Sequence, residues 1–297
     1  MNILITGSTG LIGTALNDYL TKSGHTIYSM DRRPHSESPF HWQPHENSIS
    51  FDDSVSIDAV INLAGSNISD GRWTEAKKKI IFDSRIDSTT LLSDYLGKLP
   101  SPPKIFISAS AIGFYGDTAD EQVDENHTTG SDFLAHVAQK WEEATQPAVD
   151  AGIRTVNLRT GIVLSPLGGA LKQMLPPFKL ALGGVIGNGQ QYMSWISLTE
   201  VCRIIEFILK TDSISGPVNM VNPTPVTNYE FTKSLGKALS RPTLFPMPAF
   251  IAKLIFGEMA DALLLSSIRV QPGKLINAGY EFTDKDLAKT FSTMLKK

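Results

Sequence analysis

The sequence predicts an α/β fold: a doubly wound parallel sheet with a smaller, mostly helical C-terminal part. Three features predict it. Short apolar runs rich in Ile and Val alternate with longer amphipathic stretches over the first half of the chain, which is the rhythm of βαβ units. A glycine-rich turn, Gly7-Ser8-Thr9-Gly10-Leu11-Ile12-Gly13, stands between the first run and the first stretch. Beyond Thr160 the chain becomes rich in glycine and proline and then helical, as irregular pocket-lining segments are.

Taken in order, strands are expected over 2–6, 26–30, 59–64, 104–110 and 154–160, because each is a short, continuous apolar run of the kind that a sheet buried on both faces requires. Helices are expected over 11–23, 74–96 and 131–151. Gly24 and Gly152 stand just past the first and last of these as C-caps, and Pro100, Pro102 and Pro103 close the middle one. A strand at 193–196, a helix at 198–210 and a strand at 218–221 follow, and the rest from 228 onward reads mostly as helix. The Pro-rich stretch 241–248 reads as a hinge before a small helical unit, 249–297. The organisation expected is one domain over 1–165 and a second over 166–297, with about 193–222 folding back onto the sheet.

Composition removes several function classes. With 297 residues, 41% of them hydrophobic, the chain can bury a large core, so disorder is not expected. A net charge of −3 with scattered Lys and Arg leaves no basic stripe, so no nucleic-acid partner is expected. One cysteine, Cys202, permits neither an internal disulfide nor a zinc spacing, so no metal is expected and the compartment reads as reducing. The chain opens without a signal-peptide pattern and holds no apolar run long enough for a bilayer. The expectation is a soluble, cytoplasmic protein with no membrane partner, monomeric or homodimeric.

The chemistry begins at the glycine turn. Glycines let the backbone turn sharply and approach a diphosphate, the following helix offers free N–H groups, and the last glycine lets helix and strand pack closely. With strand, turn, helix and second strand in their required places, Gly7, Thr9, Gly10, Leu11, Ile12 and Gly13 are expected to hold a dinucleotide in a Rossmann-type domain. Asp31-Arg32-Arg33 follows the second strand. An acid there accepts a ribose hydroxyl of NAD, whereas arginine pairs with the 2′-phosphate of NADP. The two arginines favour NADP(H), with NAD(H) the second choice. Asn62-Leu63-Ala64-Gly65, ending the third strand, is similar to the NxAG motif of the short-chain dehydrogenase/reductases, which implies that Leu63, Ala64 and Gly65 lie against the cofactor's adenosine side.

The GxxGxxG spacing and Asn62-Leu63-Ala64-Gly65 resemble the extended short-chain dehydrogenase/reductases. The whole chain resembles one atypical subgroup of them, the epimerase family proteins, NAD-dependent epimerase/dehydratase-like, some labelled cell division inhibitors. The resemblance rests on Arg72-Trp73-Thr74-Glu75, Asp83-Ser84-Arg85, the run 108–117, Asp132-Phe133-Leu134-Ala135, Leu158-Arg159-Thr160-Gly161, Met193-Ser194-Trp195-Ile196 and Phe256-Gly257-Glu258-Met259. It implies an NADP(H)-binding domain plus a smaller substrate domain acting on a small molecule that is not identified. It also implies histidine after Ser194-Trp195-Ile196, where this chain has Ser197.

Such enzymes pair a Ser or Thr with a Tyr and a Lys four residues later. Ser110, at the end of the fourth strand, suits the first role. The Tyr-x-x-x-Lys pair is missing from its expected helix, where Leu134 and Ala138 take the two places. Tyr229 and Lys233 match the pattern on a peripheral helix and read as structural. Tyr115 is the candidate replacement acid, its pKa to be lowered by Arg159, and His136 is a weaker one. Arg85, Arg159, Gln191 and Trp195, with Trp73, are further pocket candidates. Two readings stay open: an NADP(H)-dependent oxidoreductase or epimerase-like enzyme, and an NADP(H)-binding regulator or sensor.

Overall fold

A computed structural model describes residues 1–30, 38–52 and 54–296. Six parallel strands form the central sheet: β1 (Asn2–Thr6), β2 (Thr26–Ser29), β3 (Ala59–Asn62), β4 (Ile105–Ala111), β5 (Arg154–Thr160) and β6 (Gly216–Met220). Their order is β2-β1-β3-β4-β5-β6, so the winding reverses between β1 and β3. In open α/β sheets ligands bind at such a reversal, beyond the carboxyl ends of the strands.

Period-two alternation sorts the strand residues between two helical layers. Ile3 and Ile5 of β1 join Leu16 and Leu20 of α1 (Leu11–Lys22) and Ile204, Ile205 and Ile208 of α6 (Leu198–Lys210) on one face. Leu4 points the other way and joins Val60, Phe106, and Leu92 and Leu96 of α2 (Glu75–Gly97). Both layers are buried, which is why the sheet strands read as unbroken apolar runs.

Two expected elements are divided. The stretch 131–151 forms α3 (Phe133–Glu143) and then α4 (Gln146–Asp150). Pro147 lacks the N–H that would continue the helix, and the Thr145 hydroxyl donates to the Glu142 carbonyl at 2.7 Å to close the first segment. The stretch 193–196 splits as well: Tyr192–Met193 pairs antiparallel with Val226–Thr227, and Trp195–Ser197 pairs parallel with Ile162–Leu164. The break at Ser194 fits a crossing so close that a Cβ on Gly161 would meet the Ser194 carbonyl oxygen at 2.5 Å.

A hairpin, Phe40–Gln43 with Ser48–Phe51, was not expected from the sequence. Its signal is the alternation that buries Phe40 and Trp42, together with Asn47 in the left-handed region at the turn. The C-terminal part is mostly helical but also wraps the sheet. Leu275, Tyr280 and Phe282 enter the core beside α6, Arg269–Val270 pairs with Gln122–Val123, and Phe291 packs edge-on to Phe231 of α7 (Asn228–Ala238). No helix among the described residues is long and apolar enough to cross a membrane.

Two glycines give a paired test of the first βα unit. A Cβ on Gly13 would lie 2.2 Å from the Gly7 carbonyl oxygen, whereas one on Gly24, at φ +84°, would meet nothing within 4 Å. Gly13→Ala should cost about 3 kcal/mol of unfolding free energy by overpacking. Gly24→Ala should cost about 1 kcal/mol through its left-handed backbone alone. Denaturant titration of both variants measures the difference.

Candidate functional site: a glycine turn, an apolar cavity and a buried ion pair

The turn after β1 is built by its neighbours. Thr6 donates its hydroxyl to Asn62 Oδ1 at 2.6 Å and accepts from the backbone N–H groups of Leu63 and Ala64 at 3.2 and 3.3 Å. The ends of β1 and β3 are thereby locked side by side. Gly7, at φ +66°, runs so near the Leu63 carbonyl that a Cβ would stand 2.7 Å from its oxygen. Gly10 donates its N–H to Gly7 at 3.0 Å and serves as N-cap of α1, with no side chain covering the helix's free N–H groups. Thr9 and Gly10 are exposed, Leu11 packs beneath Gly168 and Gly169, and Ile12 packs on the core. The result is an open cradle with donors pointing outward. Asp31, Arg32 and Arg33 lie outside the described residues.

Gly65, next to this cradle, is covered by Arg85, whose guanidinium carbon a Cβ there would meet at 3.4 Å. Arg85 donates to the carbonyls of Ile81 and Ser66 at 2.9 and 3.0 Å and lies 5.0 Å from the centre of the Trp141 ring. Burial lowers its pKa to about 10. Beside Arg85 opens a cavity of about 370 Å³, between the carboxyl ends of β4 and β5 and the segments 186–194 and 262–268. Leu134 and Ala138 line it. The two places left without tyrosine and lysine therefore face the cavity as apolar wall.

Ser110 and Tyr115 do not line this cavity; they belong to a buried network beside it. Arg159 forms a two-pronged ion pair with Glu142, Nε to Oε1 and Nη2 to Oε2, both at 2.8 Å. Ser110 donates its hydroxyl to Glu142 Oε1 at 2.8 Å. Arg159 Nη1 donates to the Tyr115 hydroxyl at 3.0 Å, and that hydroxyl donates to Asn219 Oδ1 at 2.7 Å. The Arg159 guanidinium also lies 3.5 Å from the centre of the Phe114 ring. Burial opposes its charge, yet Glu142 and these hydrogen bonds hold its pKa above the ordinary value. Tyr115 responds differently from the sequence expectation. Burial pushes its phenol up and outweighs the pull of Arg159, leaving it at about 12. The shift is opposite to the one expected, and the hydroxyl is held between Arg159 and Asn219.

None of the remaining candidates lines the cavity itself. Gln191 is buried and donates to the carbonyls of Ile186 and Leu264 at 3.0 and 2.9 Å, joining the two segments over the cavity. Trp195 is fully buried and donates to the Thr224 carbonyl at 3.0 Å, and Trp73 donates to Ile68 at 2.8 Å. His136 stacks on Phe82. Ser197 caps α6 by accepting from Glu200 N and donates to Asp284 at 2.5 Å. Tyr229 is half exposed on α7, with Lys233 over its ring. Glu142 was not singled out from the sequence. Its one signal is a carboxylate about two turns after Leu134 on the helix whose apolar residues face the sheet.

The ion pair yields a stability prediction. Glu142→Ala leaves Arg159 buried without a carboxylate, and breaking one partner of such a pair costs about 3–5 kcal/mol. The double replacement Glu142→Leu with Arg159→Met should recover a large part of that loss. Unfolding measurements on both variants decide the matter.

Comparison with known proteins accords with this layout. Residues 3–221 match the NAD dependent epimerase/dehydratase family, and residues 247–294 match a domain of unknown function, DUF1731. The epimerase family protein Mb2239 of Mycobacterium bovis is 43% identical over 94% of this chain and 93% of its own length. YfhF of Bacillus subtilis, also an epimerase family protein, is 36% identical over 99% of this chain and 98% of its own. The crystal structure of human epimerase family protein SDR39U1 (isoform2) with NADPH superposes with a TM-score of 0.90 at 33% identity, covering 99% of each chain. With a turn of this form at the sheet's reversal point and relatives alike from end to end, the chain belongs to the NAD-dependent epimerase/dehydratase family and carries its DUF1731 C-terminal region.

Proposed function

We propose that the chain binds NADP(H) at the Gly7–Gly13 turn and acts as an oxidoreductase or epimerase-like enzyme on a small molecule in the adjoining cavity. The observation that carries this reading is Arg85, which covers Gly65 on the cofactor side and lines the cavity on the other. The two spaces share one wall. The turn fits a dinucleotide, since Gly7 and Gly13 let the turn fold tightly against Leu63 and against itself, Thr9 and Gly10 are exposed, and α1 presents uncapped N–H groups. Gly7, Thr9, Gly10, Leu11, Ile12 and Gly13 would hold the diphosphate, Arg32 and Arg33 the 2′-phosphate, and Leu63, Ala64 and Gly65 the adjoining ribose. When bound, the nicotinamide supplies the capacity to donate or accept a hydride. The human relative crystallised with NADPH supports the choice of the phosphorylated cofactor.

One observation favours the second reading, an NADP(H)-binding regulator or sensor. Leu134 and Ala138 face the cavity where a proton-transferring pair would stand, while Ser110 and Tyr115 are occupied by Glu142, Arg159 and Asn219.

Calorimetric titration with NADPH and NADH tests the cofactor: Arg32→Ala should weaken NADPH by about tenfold or more, the loss of a charge-assisted phosphate contact, and leave NADH nearly unchanged. Equal losses refute the assignment. The enzyme and sensor readings separate by turnover. On the enzyme reading NADPH is consumed against some member of a carbonyl panel. On the sensor reading it binds tightly and is never consumed.

A further inference from the structure

The cavity's polar groups are nearly all spent on the protein itself. Among its lining residues, Ser194 donates to the Ile268 carbonyl at 2.8 Å and accepts from Val270 N at 2.9 Å. Thr160 donates to the Leu158 carbonyl at 3.1 Å, and the Trp141 indole donates to Thr89 at 2.9 Å. Asn228 accepts from Ile186 N at 2.9 Å and turns its amide nitrogen to Met193 sulfur at 3.5 Å. Arg85 spends two N–H groups on carbonyls, as described, and stands at the cofactor end. Among the described residues no Asp, Glu, Lys or His lines the space, and Ile81, Val137, Ile162, Met174, Met193 and Leu263 make up much of its wall. Two of the lining residues, Tyr192 and Ser266, carry hydroxyls with no side-chain hydrogen bond among the described residues.

From this inventory we infer that the cavity takes a neutral, largely apolar carbonyl or alcohol compound with a single oxygen function, held at that oxygen by the Tyr192 hydroxyl. Nucleotide sugars are excluded. A hexose brings several hydroxyls, and each one buried without a partner weakens binding by roughly a factor of 5–150. A diphosphate would find one guanidinium, already committed to two carbonyls. The volume suits a compact ligand of this type, since small-molecule pockets begin at roughly 300 Å³. The inference names the substrate class for the function proposed above and rests on that reading for the reaction, though not for the binding.

The test uses the full chain, free and saturated with NADPH, and three probes: 4-phenyl-2-butanone, butylbenzene and UDP-glucose. Saturable binding of the ketone, measured by ligand-observed NMR, and none of UDP-glucose is the expected result. Tyr192→Phe removes one hydroxyl while keeping the ring on Arg269, whose guanidinium lies 4.7 Å from the ring centre. It should weaken the ketone about three- to tenfold, the worth of one hydrogen bond, and leave butylbenzene unchanged. Binding of UDP-glucose in preference to the ketone overturns the inference, and so does a ketone that fails to saturate or an equal loss of both apolar probes in Tyr192→Phe. Failure of NADPH to bind, seen separately by calorimetry, overturns the proposed function while leaving the probe experiment readable on the free protein.

Discussion

The contact on which the rest depends is the one between Gly13 and Gly7. α1 leaves β1 through a turn so tight that its third residue passes within van der Waals reach of the turn's own first carbonyl. This contact sets the helix against the sheet, and the first core layer follows: Leu16 and Leu20 reach Ile3 and Ile5, and α6 packs alongside. It also sets the helix N-terminus over the place where the sheet's winding reverses, with donors that no side chain satisfies. Stability and binding geometry are here consequences of one steric condition, met by two residues without side chains.

At the other end of the site, the buried pair of Glu142 and Arg159 plays the corresponding part. A carboxylate and a guanidinium taken out of water are favourable only when their hydrogen bonds are nearly all satisfied. Ser110, Tyr115 and Asn219 satisfy them here and so tie β4, β5 and β6 to α3. Residues that resemble a catalytic serine and tyrosine are thereby drawn into holding the sheet's carboxyl edge, and the cavity beside them is left apolar. The electrostatics of this edge are internal.

How much was legible follows from the range of each interaction. The parallel strands were readable because burial on both faces makes their sequence almost wholly apolar, and the glycine turn because its φ angles and close approaches admit few other residues. The split of 131–151 had a local cause in Pro147 that could have been weighed. The hairpin 40–51 was harder to see, since its alternation covers only four residues on each side. Around the carboxyl ends of β4 and β5, types and spacings were visible but orientations were not. Nothing in Ser110 or Tyr115 as residues says whether a hydroxyl faces a cavity or a glutamate from another helix.

By itself the sequence determined the order of strands and helices, the place of the glycine turn and the lack of a tyrosine–lysine pair, because each is written in side-chain size, periodicity and backbone freedom over a few consecutive residues. Only the tertiary structure decided that Glu142 claims Ser110 and Arg159, that burial raises the Tyr115 pKa, and that Leu134 and Ala138 wall an apolar cavity. Those outcomes depend on which groups separated by 17–104 positions meet and on how much water is excluded when they do.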